Sequence, residues 1–139
     1  MSDQSTSGIA SATDLFKDAS LAREQGLVIL IEFASDSCEY CRLLEKEFLN
    51  PMLINSEYDE KVMIRSVQLD GYESFRGFQG ELIPPGQFAS RYGIKVTPTM
   101  VFLDVNGNEL SDKLVGIWSV DFFGGYIDNR IDIAKGKVH

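Results

Sequence analysis

Two cysteines three residues apart, in Ser37-Cys38-Glu39-Tyr40-Cys41, are the whole thiol content of the chain. At this spacing the pair can close into a small disulfide ring, or each sulfur can act as a thiolate nucleophile. From Cys38 onward a period near 3.6 sets in, with Cys41, Leu44, Glu45, Phe48 and Leu49 recurring until Asn50-Pro51, where the proline is expected to break the helix. The cysteines therefore open a helix. The first thiol lies at the positive end of the helix dipole, where unpaired N–H groups stabilise a thiolate, so Cys38 is the expected nucleophile. Cys41, one turn further in, is the expected resolving thiol, which attacks a mixed disulfide formed at Cys38 and releases the reduced substrate. Two other uses of such a pair compete. A tetrahedral zinc site needs four ligands, and His139 is the only other good candidate. Free cysteine also packs as a small hydrophobe with no chemistry at all.

The elements that must position this pair are readable from periodicity and breakers. Residues 1–12, rich in Ser and Thr, read as a flexible lead-in to one domain over 13–139. Thr13 is the expected N-cap of a short amphipathic helix with Leu15, Phe16, Ala19 and Ala22 on one stripe and Gly26 as its stop. Leu27 to Phe33 is a near-continuous apolar run that suits a central strand covered on both faces. Lys61 to Asp70 alternates and reads as a second strand. Gln87 to Tyr92 reads as a short helix. Thr99 to Leu103 and Asp112 to Val115 flank Asn106-Gly107, a strong hairpin signal. Ser119 is placed as the cap of a last helix with Val120, Phe123, Ile127 and Ile131 on its inner stripe. The fold class is α/β, a central mixed sheet with helices on both faces. Between Gly71 and Gly86 lies a long irregular stretch carrying Tyr72, Phe75, Phe78 and Pro84-Pro85. Such a loop can serve as a partner-binding collar, or its aromatics can cover an edge of the core.

Composition narrows the partners. The 139 residues carry 13 Lys and Arg against 21 Asp and Glu, a net charge of −8 that repels a phosphate backbone or an anionic lipid surface. Nucleic acid is not an expected partner. The longest apolar run, Leu27 to Ile31, is closed by Glu32, whereas a membrane-spanning helix needs about 20 residues. No membrane insertion is expected. The chain shows neither a basic start followed by an apolar segment nor a nucleotide-binding glycine signature, so no secretory leader and no bound cofactor are expected.

A strand ending in Glu32-Phe33-Ala34-Ser35, the Cys-Glu-Tyr-Cys helix start, Arg91-Tyr92-Gly93-Ile94-Lys95-Val96-Thr97-Pro98-Thr99, a hairpin and a final helix follow in order. This arrangement resembles the thioredoxin family from about Leu15 to Ile133. The resemblance implies a thioredoxin fold and a thiol–disulfide oxidoreductase. It implies that Pro98 is a cis-proline facing the disulfide, and that the backbone of Thr97 pairs with substrate. Glu32 falls where the family carries a buried acid, which would take the proton of Cys41 as it attacks. Glu39 and Tyr40, between the cysteines, are the remaining expected substrate contacts.

The sequence departs from the family at Ser37, where a tryptophan is usual, and at Glu39-Tyr40 in place of Gly-Pro. The acid at Glu39, with Asp36 nearby, opposes thiolate formation at Cys38 and points toward a reductant or a middling potential rather than a strong oxidant. The expected activity is reduction of protein or small-molecule disulfides, and the expected partners are a disulfide-containing protein substrate and an upstream thiol reductase as electron donor, with the chain itself a monomer. The longer loop and the Asn50-Pro51 break resemble most the bacterial periplasmic thioredoxin-like proteins, including those associated with sulfur oxidation. That implies a periplasmic location, with a cytoplasmic one as the alternative. Disulfide isomerase or oxidase activity, and a non-redox binding module on the same fold, are the alternative functions.

Overall fold

The apolar run before the cysteines forms β2 (Val28–Ala34), all seven residues of which are buried. A computed structural model describes residues 8–117 and 120–138. β2 is central because both its edges are paired: it runs parallel to β3 (Val62–Gln68) and antiparallel to β6 (Thr99–Leu103). β7 (Glu109–Val115) adds antiparallel to β6, and β1 (Ala10–Ser11) adds parallel to β3, giving a five-stranded mixed sheet in the order β1-β3-β2-β6-β7.

Side chains alternate across a strand, so the sheet has two apolar faces and needs two layers of cover. Ile29, Ile31 and Phe33 face α1 (Leu15–Gln25) and α4 (Pro85–Ser90), packing with Leu15, Ala19 and Phe88. Val28 and Leu30 face the other way, toward Leu44 and Leu49 and toward Phe123, Ile127 and Ile131 of α5 (Val120–Lys135). Glu32 shares the second face by alternation. A carboxyl therefore stands at an otherwise apolar position beneath the cysteine-bearing helix.

Several expectations are corrected. The first helix is capped by Asp14, whose side chain accepts from Lys17 N–H at 2.9 Å, and not by Thr13. Thr13 is occupied otherwise, its carbonyl accepting from Arg76 N–H at 3.0 Å. Ordered structure begins before residue 13, because β1 pairs Ala10 with Arg65 and Ser11 with Ser66. Pro51 does not break the helix. α2 (Glu39–Leu44) passes into a π-helical turn, Glu45–Leu49, and then α3 (Asn50–Ile54). The wider turn starts a new helical segment at Asn50, and Pro51 occupies its first turn, where a missing N–H costs little. The strand after the hairpin begins at Glu109 rather than Asp112. Ser119 lies outside the described residues.

The long stretch from Gly71 to Gly86 contains a small hairpin of β4 (Phe75–Arg76) and β5 (Leu82–Ile83). Phe75, Phe78 and Ile83 are buried around Phe88, so the aromatics mainly cover the core. Of Tyr72, Phe75 and Phe78, only Tyr72 is exposed.

The Asn106-Gly107 turn shows how the two regions lock together. Asp104 Oδ1 accepts from Asn106 N–H at 2.8 Å and Asn108 N–H at 2.9 Å, and Gly107 takes φ +87°. A Cβ at Gly107 would meet the Phe78 ring at 2.7 Å. Gly107→Ala combines left-handed backbone strain with a clash, so a loss of roughly 1–3 kcal/mol is expected in chemical denaturation. No loss would show that the turn and the Phe78 segment are not coupled.

Candidate functional site

Cys38 caps α2 and Cys41 lies in its first turn, and their sulfurs are joined in a disulfide with Cα atoms 5.2 Å apart. Cys38 Sγ accepts the Cys41 N–H at 3.0 Å, one of the amides left unpaired at a helix start. The two sulfurs are unequal in access. Cys38 is half-buried, whereas Cys41 is fully buried. Attack from outside can reach only the first.

The loop ahead of Cys38 is held from two sides. Asp36 N–H donates to Asp70 Oδ2 at 3.1 Å, and the Ser35 and Thr97 hydroxyls lie 3.4 Å apart. The second contact brings the Thr97-Pro98 segment, 62 residues away in sequence, to the disulfide loop. The Thr97–Pro98 peptide is cis, Pro98 is buried, and the Pro98 carbonyl accepts from Gly116 N–H at 2.7 Å. Glu39 and Tyr40 are both exposed between the cysteines, Tyr40 to 62%. Beside Pro98, Val96 of the same segment and Val115, paired with Thr99 from β7, are exposed and line a shallow cleft of about 210 Å³ with Lys95 and Lys113. A second hollow, about 490 Å³ against Ser11, Gln68 and Tyr72, contains neither cysteine. Cys38 itself lies between exposed Ser37 and exposed Glu39, so the disulfide meets the surface at that sulfur.

Glu32 is fully buried, and neither of its oxygens stands in full hydrogen-bonding geometry with a described partner, the Ser66 hydroxyl being its nearest donor by strand pairing. Burial pushes its carboxyl from an ordinary 4.5 up to about 9, and the carboxylate of Glu45 adds to the rise while Arg42 and Ser66 oppose it. Ser66 is its parallel neighbour on β3. The acid is therefore protonated at neutral pH in this disulfide form.

Two residues of this cluster escape a reading of the sequence for site residues. Glu45 is buried at 3% exposure and forms a bidentate ion pair with Arg42. The signal was present: Glu45 is an acid on the buried stripe of its helix, with an arginine three residues before it.

These features define a class: an α/β domain of mixed sheet and two helical layers that carries a surface Cys-x-x-Cys disulfide at a helix start. Residues 15–130 match the thioredoxin-like domain family, and the chain belongs to it. Its fold is the thioredoxin fold. A poplar thioredoxin h mutant is 18% identical and superimposes with a TM-score of 0.64 over 99% of this chain and 92% of that one. Oxidised thioredoxin O2 from Arabidopsis thaliana is 18% identical, with a TM-score of 0.59 over 91% of this chain and 97% of that one. Oxidised mitochondrial thioredoxin 3 from Saccharomyces cerevisiae is 17% identical, with a TM-score of 0.59 over 91% and 99%. No curated protein sequence matches the chain. Family membership and the closed Cys38–Cys41 pair support thiol–disulfide oxidoreductase chemistry at a general level.

Proposed function

We propose that this protein is a disulfide reductase acting on disulfide-containing proteins. The observation that carries the reading is the asymmetry of the pair, one sulfur reachable and the other sealed beneath it. In the reduced form the Cys38 thiolate attacks a substrate disulfide, and one substrate sulfur leaves as a thiolate. Cys41 then loses its proton, attacks Cys38 Sγ and expels the second substrate sulfur. Two electrons pass to substrate, and the Cys38–Cys41 bond is restored.

Glu32 supplies the proton partner. Burial holds its carboxyl at about 9 in the disulfide form, so Glu32 carries a proton at neutral pH that it can give up when the pair opens. When a donor opens the disulfide, Glu32 protonates the Cys41 sulfur and is left as a carboxylate. When Cys41 attacks, Glu32 takes the proton back.

A sulfur reached at the surface favours an extended polypeptide over a small molecule, with Thr97 offering its backbone and Tyr40 and Glu39 flanking the sulfur. The electron donor in this reading is an upstream thiol reductase. The chain works as a monomer, and its location in this reading is the bacterial periplasm.

The test is the equilibrium reduction potential of the pair against a glutathione series, with Cys38→Ala as blank. A value near roughly −270 mV is expected for a reductant, and one near about −120 mV would reverse the direction of electron flow.

A further inference from the structure

The π-helical turn beginning at Glu45 carries a second carboxylate into the interior, and the dithiol exchange above does not use it. Both its oxygens are taken by one guanidinium. Arg42 Nε donates to Oε1 at 2.9 Å and Nη2 to Oε2 at 3.0 Å, while Nη1 reaches the Asp36 carbonyl at 3.4 Å. The ion pair is thereby tied to the segment ahead of Cys38. The Glu45 carboxylate acts on Glu32, and Ser66 faces Glu32 across the β2–β3 pair, yet neither Glu32 oxygen stands in hydrogen-bonding geometry with a described partner. Two ionised carboxylates are acceptors only and cannot bond each other, whereas one proton between them makes a donor and an acceptor. The arginine fork needs both Glu45 oxygens as acceptors. Glu32 has both of its own free.

We propose that Arg42 is a positioning residue that assigns the proton of the buried carboxyl pair to Glu32, by holding Glu45 as the anionic partner. The assignment keeps the proton on the carboxyl that exchanges with Cys41, and in that respect it rests on the reductase reading. The surroundings leave few other groups to do this. β3 contributes Ser66, whose Oγ accepts from Gln68 Nε2 at 3.2 Å, and α5 meets this face with apolar Phe123, Ile127 and Ile131. Asp36 acts on the cluster through Arg42. Without the guanidinium, the Glu45 charge is buried unpaired, and it too is driven to take a proton.

The test is a carboxyl ¹³C NMR titration of the oxidised, glutamate-labelled protein, with Glu32→Gln and Glu45→Gln to assign the signals. The wild type is expected to show one buried carboxyl that changes charge in the alkaline range, absent from Glu32→Gln. In Arg42→Gln, the alkaline change of charge is expected to appear on the Glu45 signal as well as on that of Glu32, while Arg42→Lys, which keeps the charge but not the two-pronged contact, gives a smaller change in the same direction. An Arg42→Gln titration identical to wild type overturns the proposal, as does a wild-type proton that disappears with Glu45→Gln instead of Glu32→Gln. The titration needs no substrate. A wild type unable to reduce disulfides would overturn the reductase reading and leave the carboxyl assignment to stand or fall on its own data.

Discussion

Cys38→Ala is expected to abolish disulfide reduction, bringing the rate down to that of the uncatalysed thiol background. Cys41→Ala is expected to react once and remain covalently joined to its substrate. Both outcomes follow from access. Cys41 is fully buried behind Cys38 and the first turn of α2, so it cannot replace Cys38 as the attacking sulfur. Cys38 alone can still form the mixed disulfide, but without Cys41 nothing displaces the substrate from it. Intact-mass measurement after incubation with a disulfide-bonded protein separates the cases: unmodified Cys38→Ala, and Cys41→Ala increased by the mass of the substrate. Substantial turnover by Cys38→Ala would remove the mechanism.

The second large effect is a trade between stability and rate at Glu32. Its folded-state value is raised from 4.5 to about 9, so between those limits the folded protein holds a proton that the unfolded chain has released. Stability therefore falls as pH rises through that window. At roughly 1.4 kcal/mol per pH unit, the loss between about pH 4.5 and pH 7 is on the order of 3 kcal/mol. Glu32→Gln keeps the shape and a neutral head and releases no proton on unfolding. Its oxidised form is expected to match the wild type near pH 4.5, to exceed it by about that amount at pH 7, and by more at pH 8. Urea denaturation at the three pH values measures this. The same variant is expected to resolve the mixed disulfide on the order of a hundredfold more slowly, because the proton acceptor for Cys41 is gone. A variant whose stability follows the wild-type pH dependence would show that Glu32 does not hold the proton.

The proton cluster also explains why reading single residues stopped short of the site. Glu32 is marked in the sequence by its place at the end of an apolar run. Glu45 is marked only as an acid on a buried helical stripe, and Arg42 looks like an ordinary surface arginine. Their meeting depends on β2 placing Glu32 on the face covered by α2 and the π turn, and on that turn directing Glu45 inward. The Gly71–Gly86 aromatics show the same limit. Apolar content says that Phe75 and Phe78 seek cover, but whether a core or a partner supplies it depends on where Phe88 and the 104–108 turn come to rest.

Short-range patterns in the chain carry the local part: the cysteine pair at a helix start, the buried central strand, the turn at Asn106-Gly107, and the order of elements that resembles the thioredoxin family. Each of these is written in periodicities and spacings of a few residues, which survive without knowledge of the rest of the chain. Only folding settles which residues meet: Ser35 with Thr97, β1 with β3, and Glu32 with Glu45 and Arg42 on the sheet face that α2 covers. Those contacts join segments distant in sequence, or set a side chain's burial and so its charge, and no local pattern encodes either. They arise because a sheet with two apolar faces has to be covered by helices on both.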